Sequence, residues 1–470
     1  MADPSSAPKS WRTRWTDALT NAQVWLRRAE RDIRRKLTWG RIYRATSYSR
    51  SALWIVPFFA IVLVVIMVPI IRLVDGWVDG NVFGLGPKGA ESLYQTVVTL
   101  TLSFVVFTFG SLLVAIQIAG GQLTPRIIAT TLLRDNVVRY TVGLFVFTLM
   151  FSIMALNRLD GTTPGLVAFL DGILGIACVV AFLFLIDYSA RLLRPVSILA
   201  FVGNQSLDVI KTVYPDPVSD EDDNPNPPAA PPQSPRRVVP NGNRSQIALA
   251  VDIDTLMREA RRTRGIIEFA PQVGDFVSAG EPLFILYGGA VDADDQRLLT
   301  SVALGPERTM EQDPLFGFRI LVDIALKALS PAINDPTTAV CAIDQIHRLL
   351  RLVGKRRLGR EVIQDGLGQA RVIYRTPNWE DFVHISCNEI RFCGANNTQI
   401  ARRLRALLEN LMTTLPAHRT KALSDELDRL DQMLKTFFPI PADLALARMA
   451  DSQGLGGSSG SRHQPGADGL

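Results

Sequence analysis

Four apolar runs, Ala52–Ile71, Leu93–Ile118, Tyr140–Leu156 and Leu166–Ile186, constrain this chain more than anything else in it. A bilayer core takes roughly 20 apolar residues as a helix. Backbone polar groups at that depth must be satisfied inside the segment, which a helix does. The runs therefore predict four transmembrane helices. The first begins only at residue 52, too far along for a cleavable signal peptide.

The flanks orient the spans, because Lys and Arg concentrate on the cytoplasmic side. Before the first run stand Arg27, Arg28, Arg31, Arg34, Arg35, Lys36, Arg41, Arg44 and Arg50. The first connection carries only Lys88, the second Arg126 and Arg134 with Arg139 just beyond, the third only Arg158, and Arg191 and Arg194 follow the last run. Both termini are thus expected in the cytoplasm. Cys178, Cys341, Cys387 and Cys393 are too scattered for a disulfide framework, which suits that placement. His384, Cys387 and Cys393 lack a fourth ligand and a zinc-like spacing, so no metal site is expected. Residues 11–39 mix Trp and Leu with arginines and read either as a basic amphipathic helix on the anionic leaflet or as a disordered topology signal.

The second run is the most polar. Thr96, Ser103, Gly110 and Gln117 recur every seven residues, with Thr99 nearby, and seven residues return to nearly the same helix face. A second stripe runs through Thr101, Thr108, Ala115 and Gln122. Such a face either packs tightly against another helix or lines a solute path. Gly120, Gly121 and Pro125 are expected to end the helix. No run has a central acid or base; Asp171 and Asp187 lie near opposite ends of the fourth, within expected reach of interfacial water. This argues against proton coupling.

After the spans, residues 213–245 are rich in proline and acids and read as a disordered linker. Residues 246–450 read as a cytosolic α+β domain, and 451–470, rich in Gly and Ser, as a disordered tail. "VGDFVSAGEPL" is similar to half of a biotinyl- or lipoyl-type module, but no lysine stands on a matching hairpin, so no swinging-arm cofactor is expected. From Phe316 to Leu329 nearly every residue is apolar except Arg319, Asp323 and Lys327, a ladder at spacing four. Then comes "ALSPAINDPTTAV". Pro331 stops one helix, while Asp335 suits the N-cap and Pro336 the first turn of the next. By its own chemistry this is a helix joint. As a site, Arg308, Gln312, Asp313, Asn334 and Asp335 form a candidate polar cluster. No P-loop, HExxH, Ser-His-Asp order or dinucleotide fingerprint is present, so no catalytic residues and no cofactor are assigned and no enzyme is expected.

"LGPERTMEQDPLFGFRILVDIALKALSPAINDPTTA", with "QLTPRII" and "GDFVSAGEPL", closely resembles a bacterial family of predicted membrane proteins defined by domain of unknown function 2254. The resemblance spans roughly residues 45 to 440, and the proline-rich stretch departs from it. It implies a multi-pass protein of the bacterial inner membrane and carries no activity, substrate or catalytic residue.

The expected architecture is an N-terminal segment (1–50), a four-helix transmembrane domain (51–212), the linker, the α+β domain and the tail. The expected function is an oligomeric channel or transporter-like protein with a cytosolic gating or assembly domain. The alternative is a membrane-bound sensor or scaffold whose cytosolic domain binds a small ligand or a protein. The expected partners are the lipid bilayer, a second copy of the chain and a small molecule or ion of unassigned identity; nucleic acid is not expected.

Overall fold

The structure, a computed structural model, describes residues 52–75, 86–122, 135–157, 165–192, 194–218, 236–242, 244–359 and 362–457, with Trp39, Gly40, Tyr43, Thr46 and Ser49. In chain order its elements are α1 (Ile55–Asp75), α2 (Pro87–Gln122), α3 (Asn136–Leu156), α4 (Gly165–Leu192), α5 (Pro195–Val213), β1 (Arg236–Pro240), β2 (Gln246–Val251), α6 (Ile253–Thr263), β3 (Gly265–Phe269), β4 (Phe276–Val277) and β5 (Pro282–Gly288). There follow α7 (Asp295–Thr300), β6 (Val302–Gly305), α8 (Pro314–Ala328), α9 (Pro336–Val353), β7 (Val362–Gln364), β8 (Ala370–Tyr374), α10 (Trp379–Gly394), α11 (Thr398–Thr414), α12 (Ala417–Phe437) and α13 (Pro441–Ala447). These divide into two units. A sheet unit takes residues 1–47, 228–308 and 361–375, and a helical unit takes 48–227, 309–360 and 376–470. The stretch expected as one α+β domain is therefore shared between both.

In the helical unit, α1 to α4 pack on one another. Among the described residues three segments are long and apolar enough to cross a membrane: Pro87–Ile118, Asn136–Leu156 and Leu166–Arg191. α1 is a 21-residue apolar helix with Pro69 inside it, and its Ile55–Met67 part forms a shorter apolar segment. All four leave large side chains outward, among them Phe59, Val106, Leu113, Ile176 and Leu183. A helix apolar on every face suits lipid. α2 runs through Gly120 and Gly121 to Gln122, so its 36 residues extend about 54 Å, and Pro125 lies outside the described residues. Asp135 caps α3 through the Val138 N–H, and its other carboxylate oxygen accepts the Tyr188 hydroxyl of α4 at 2.5 Å.

Beyond Pro195 the helices are amphipathic and build a water-soluble type of core. Ile198, Val202 and Ile210 of α5 pack with Phe318 and Ile324 of α8 and Ile343 and Leu350 of α9. α8 is buried on almost every side, and Gly317 lets α5 approach: a Cβ there meets Ser206 Oγ at 2.1 Å. Of the expected ladder, the rung between Arg319 and Asp323 is formed. Arg319 pairs with Asp323 and also forks onto Glu389 of α10 at 2.6 and 2.9 Å. Part of the expected tail is held as well. Fully buried Arg402 donates to the carbonyls of Met449, Gly456 and Gly457, and the Asp451 carboxylate accepts the N–H groups of Gln453, Gly454 and Gly456. Burial opposes ionisation of Asp451, but those three donors hold it below the usual carboxylate range. Residues 458–470 lie outside the described residues.

The sheet unit holds a five-stranded sheet, β1-β5-β3-β8-β7, and a three-stranded one, β4-β2-β6. Among the described residues only β3 and β8 pair in parallel. β1 falls in the stretch expected as linker: Val239 pairs with Phe284 and is buried, so the ordered chain starts earlier than composition suggested. Of that linker, residues 219–235 lie outside the described residues. The biotinyl-like stretch divides between the sheets, since β4 pairs with β2 and β5 with β1 and β3. Leu256, Met257 and Ala260 of α6 cover Ile267, Leu286 and Val372. Of the N-terminal segment, Trp39 and Tyr43 stack at 5.3 Å and pack on Leu249, Ala250 and Ala303; the remainder of the expected basic helix lies outside the described residues.

Candidate functional site

α2 has two polar stripes, and packing decides which one the bundle encloses. Thr101, Thr108 and Ala115 are buried, in line with Tyr94 and Val97, while the Gln122 side chain lies outside the described residues. Thr96, Thr99, Ser103, Gly110 and Gln117 share the opposite, exposed face. The structure thus brings the five candidate positions together on the outside of this bundle. Their hydroxyls are satisfied locally: Thr96 donates to Ser92 O at 2.7 Å, Thr99 to Gln95 O at 2.8 Å and Ser103 to Thr99 O at 2.8 Å. Such back-bonding lets hydroxyls sit at membrane depth. Gly110 has no such reason to be there. A Cβ at this position meets nothing within 4 Å, and glycine inside a helix costs about 1 kcal/mol relative to alanine.

The interior holds a polar line that the sequence reading did not assemble. Thr141, Thr148 and Ser152 occupy one face of α3 and are buried. Facing them on α4 are Asp171 and Cys178, each 0% exposed. The Cys178 thiol lies 3.3 Å from Thr148 Oγ1. Ser152 Oγ lies 2.9 Å from Thr148 O and 2.5 Å from Asp171 Oδ1. A serine hydroxyl has one proton to donate. It can go either to the Asp171 carboxylate or to the Thr148 carbonyl. Among the described residues the other carboxyl oxygen, Oδ2, is buried without a hydrogen-bond partner, as is Thr108 Oγ1 on the enclosed face of α2. Asp171 therefore does not reach interfacial water, as its position near the helix end had suggested; it points into the bundle. Asp187 behaves as expected of an end residue, exposed and paired with Arg191. The signal for the interior line was the seven-residue spacing of Thr141 to Thr148 and of Asp171 to Cys178.

Of the candidates beyond the apolar helices, Asp313 and Asp335 resolve into helix starts. Asp313 caps α8 through the Phe316 N–H at 3.1 Å. Asp335 caps α9 through the Thr338 N–H at 3.1 Å and also accepts the Thr338 hydroxyl at 2.5 Å. Asn334 takes the left-handed conformation, φ 49°, that turns the chain between the helices. The Asp335 N–H closes the joint on Ala328 O at 2.8 Å. Gln312 precedes the Asp313 cap, whereas Arg308 is the last residue of its stretch of the sheet unit. Among the described residues no three His, Cys, Asp or Glu side chains are grouped to hold a metal. Cys387 is enclosed in the helical core and Cys393 is exposed.

Comparison with known proteins agrees with this architecture. Residues 50–410 match the family model described as "Predicted membrane protein (DUF2254)". Uncharacterised proteins of Mycobacterium bovis and of two strains of Mycobacterium tuberculosis are each 26% identical over 380 residues, covering 77% of this chain and 72% of the relative. No solved structure matches.

Proposed function

We propose that this chain, which belongs to the DUF2254 family of predicted membrane proteins, is a transporter-like protein of the bacterial inner membrane rather than an enzyme. In this reading α1 to α4 all span the bilayer, both termini are cytoplasmic, and the helices after Pro195 and the sheet unit serve gating or assembly. The observation that carries it is Asp171: a carboxyl at membrane depth, 0% exposed, held by one serine and lacking a partner on Oδ2. Ionisable groups are costly there and mark ion paths and proton relays. The hydroxyls of Ser152 and Thr148 on α3 extend a polar line from it toward Cys178 of α4. The bare outward face at Gly110 supports close approach of a second copy, since small residues let transmembrane helices meet.

The test is cation and proton flux into sealed liposomes containing wild type, Asp171→Asn or Asp171→Ala. The expected result is flux in wild type and none in Asp171→Asn, with the fold retained because Asn keeps both a donor and an acceptor. Undiminished flux in Asp171→Asn, or tight wild-type liposomes toward every ion and solute tried, overturns the proposal.

A further inference from the structure

At one end of the five-stranded sheet lies an open groove of about 710 Å³ whose lining includes Arg261, Arg264, Asp365, Leu367, Gln369 and Arg371. The fold brings these together for a simple reason. β3 and β8 run parallel with Ile267 opposite Val372, so whatever precedes each strand emerges at the same end. Arg264 precedes β3 and the turn 365–369 precedes β8.

One wall is fixed. Asp365 accepts the N–H groups of Leu367 and Gln369 at 2.9 and 3.1 Å and pairs with Arg371 at 2.8 Å. The Arg371 guanidinium also donates to Gln369 Oε1 at 2.5 Å. The other wall carries charge that nothing neutralises. Arg261 and Arg264 are exposed, and among the described residues neither guanidinium makes a hydrogen bond or an ion pair. Their neighbours on the same unit do: Arg262 and Arg297 both bind Glu259. Arg264 is also held at φ 53°, the left-handed position after a helix that favours glycine. A guanidinium stands at the groove mouth where the backbone prefers no side chain, and strain of this kind collects at ligand sites. At the hairpin tip Leu367 is 85% exposed beside the cations.

We propose that this groove binds a phosphate-bearing anion, with Arg261 and Arg264 as its guanidinium ligands and Leu367 against an apolar part of the same molecule. Planar guanidinium forks match phosphate oxygens two at a time. The source is either an anionic phospholipid headgroup or a soluble phosphate ester. Binding here would make the sheet unit a sensor, and it stands independently of transport through Asp171.

The full-length protein in nanodiscs tests it by phenylglyoxal modification of arginines, read by peptide mass spectrometry at constant ionic strength. Three arms are compared: phosphatidylcholine alone, phosphatidylcholine with added inorganic pyrophosphate, and phosphatidylcholine mixed with phosphatidylglycerol. Exposed Arg244, outside the groove, is the internal control. A soluble ligand predicts slowing at Arg261 and Arg264 by roughly fivefold or more with pyrophosphate. A lipid source predicts the same slowing with phosphatidylglycerol instead, from roughly 1 kcal/mol per arginine near an anionic surface. In either case Arg264→Ala removes most of the protection at Arg261. Equal rates in all three arms, or equal slowing at Arg244, overturns the proposal.

Discussion

Buried acids are treated in two different ways in this molecule. In the helical core that follows Pro195, Glu426 is almost fully enclosed and receives Arg391 Nε at 2.6 Å and Arg429 at 3.2 Å. In the sheet unit, enclosed Glu259 receives Arg262 at 3.0 Å, Arg297 at 3.1 Å and the Asp294 N–H at 3.3 Å. Asp171 is enclosed as completely, yet among the described residues its side-chain partner is a serine hydroxyl and no cation. Where the fold encloses an acid to hold itself together it supplies guanidinium, as at Glu426 and Glu259, or several backbone N–H groups, as at Asp451. Among the described residues Asp171 has neither, and the proposed function takes that lack as the mark of a working group rather than a strut.

The sharpest way to break this contrast is to remove an acid of the paired kind. Glu426→Ala leaves Arg391 buried without its carboxylate, and breaking such a pair costs about 3–5 kcal/mol. The melting temperature of the purified protein should fall steeply. A loss under 1 kcal/mol would mean that the arginines are not the reason the acid is tolerated.

Glu259 gives the same contrast a pH signature. Its hydrogen bond to Arg262 leads the effects that pull it from the ordinary 4.5 to about 2, against the opposing effect of burial. A carboxylate with a lowered folded value contributes stability in full above its unfolded value and loses it as pH falls through the folded one. The stability difference between wild type and Glu259→Gln should hold above pH 4.5 and disappear on the way down to about 2. Acid titration of both proteins, followed by protease resistance of the sheet unit, measures it. A difference that persists at the acid end contradicts the pairing account.

Asp171→Asn should then do the reverse of Glu426→Ala: a stability change within about 1 kcal/mol, because no cation is orphaned and hydrogen bonds to Ser152 remain available. A collapse of the fold, comparable with the Glu426 variant, would return Asp171 to a structural role.

The difference between these acids also explains what the sequence disclosed. The apolar runs were legible because twenty residues of hydrocarbon leave one folded option. The cap at Asp335 was legible because Asp-Pro ahead of an apolar stripe is complete in local chemistry. The orientation of Asp171 was not: position along a run gives depth, and only the packing of α3 against α4 gives direction. The two stripes of α2 were equally ambiguous, both small and polar at the same spacing, until Tyr94 and Val97 turned one inward. β1 escaped because a short edge strand with proline at its end looks like the linker before it. The order of residues 451–457 escaped because it rests on Arg402, fifty residues upstream by rough count, rather than on their own composition.

A smaller effect probes the outer face of α2. Gly110→Leu removes a helix-weakening glycine at a position with open space. In a lone protomer it stabilises by up to about 1 kcal/mol. If copies meet there, the added side chain separates them, and crosslinking and native mass spectrometry should show loss of the oligomer. An unchanged oligomer would move the interface away from this face.

The smallest effect belongs to Asp335, where charge and capping make opposite forecasts. Asn caps as well as Asp, so Asp335→Asn should change stability by no more than a few tenths of a kcal/mol, while Asp335→Ala should cost about 1 kcal/mol. Both variants keep the joint's backbone bond from the Asp335 N–H to Ala328 O, so any difference isolates the side chain. Flux through Asp335→Asn should equal wild type. Should the Asn variant lose flux while its melting temperature holds, the carboxylate charge itself is in use. The joint would then stand with Asp171, as an acid kept for what it does rather than for what it holds.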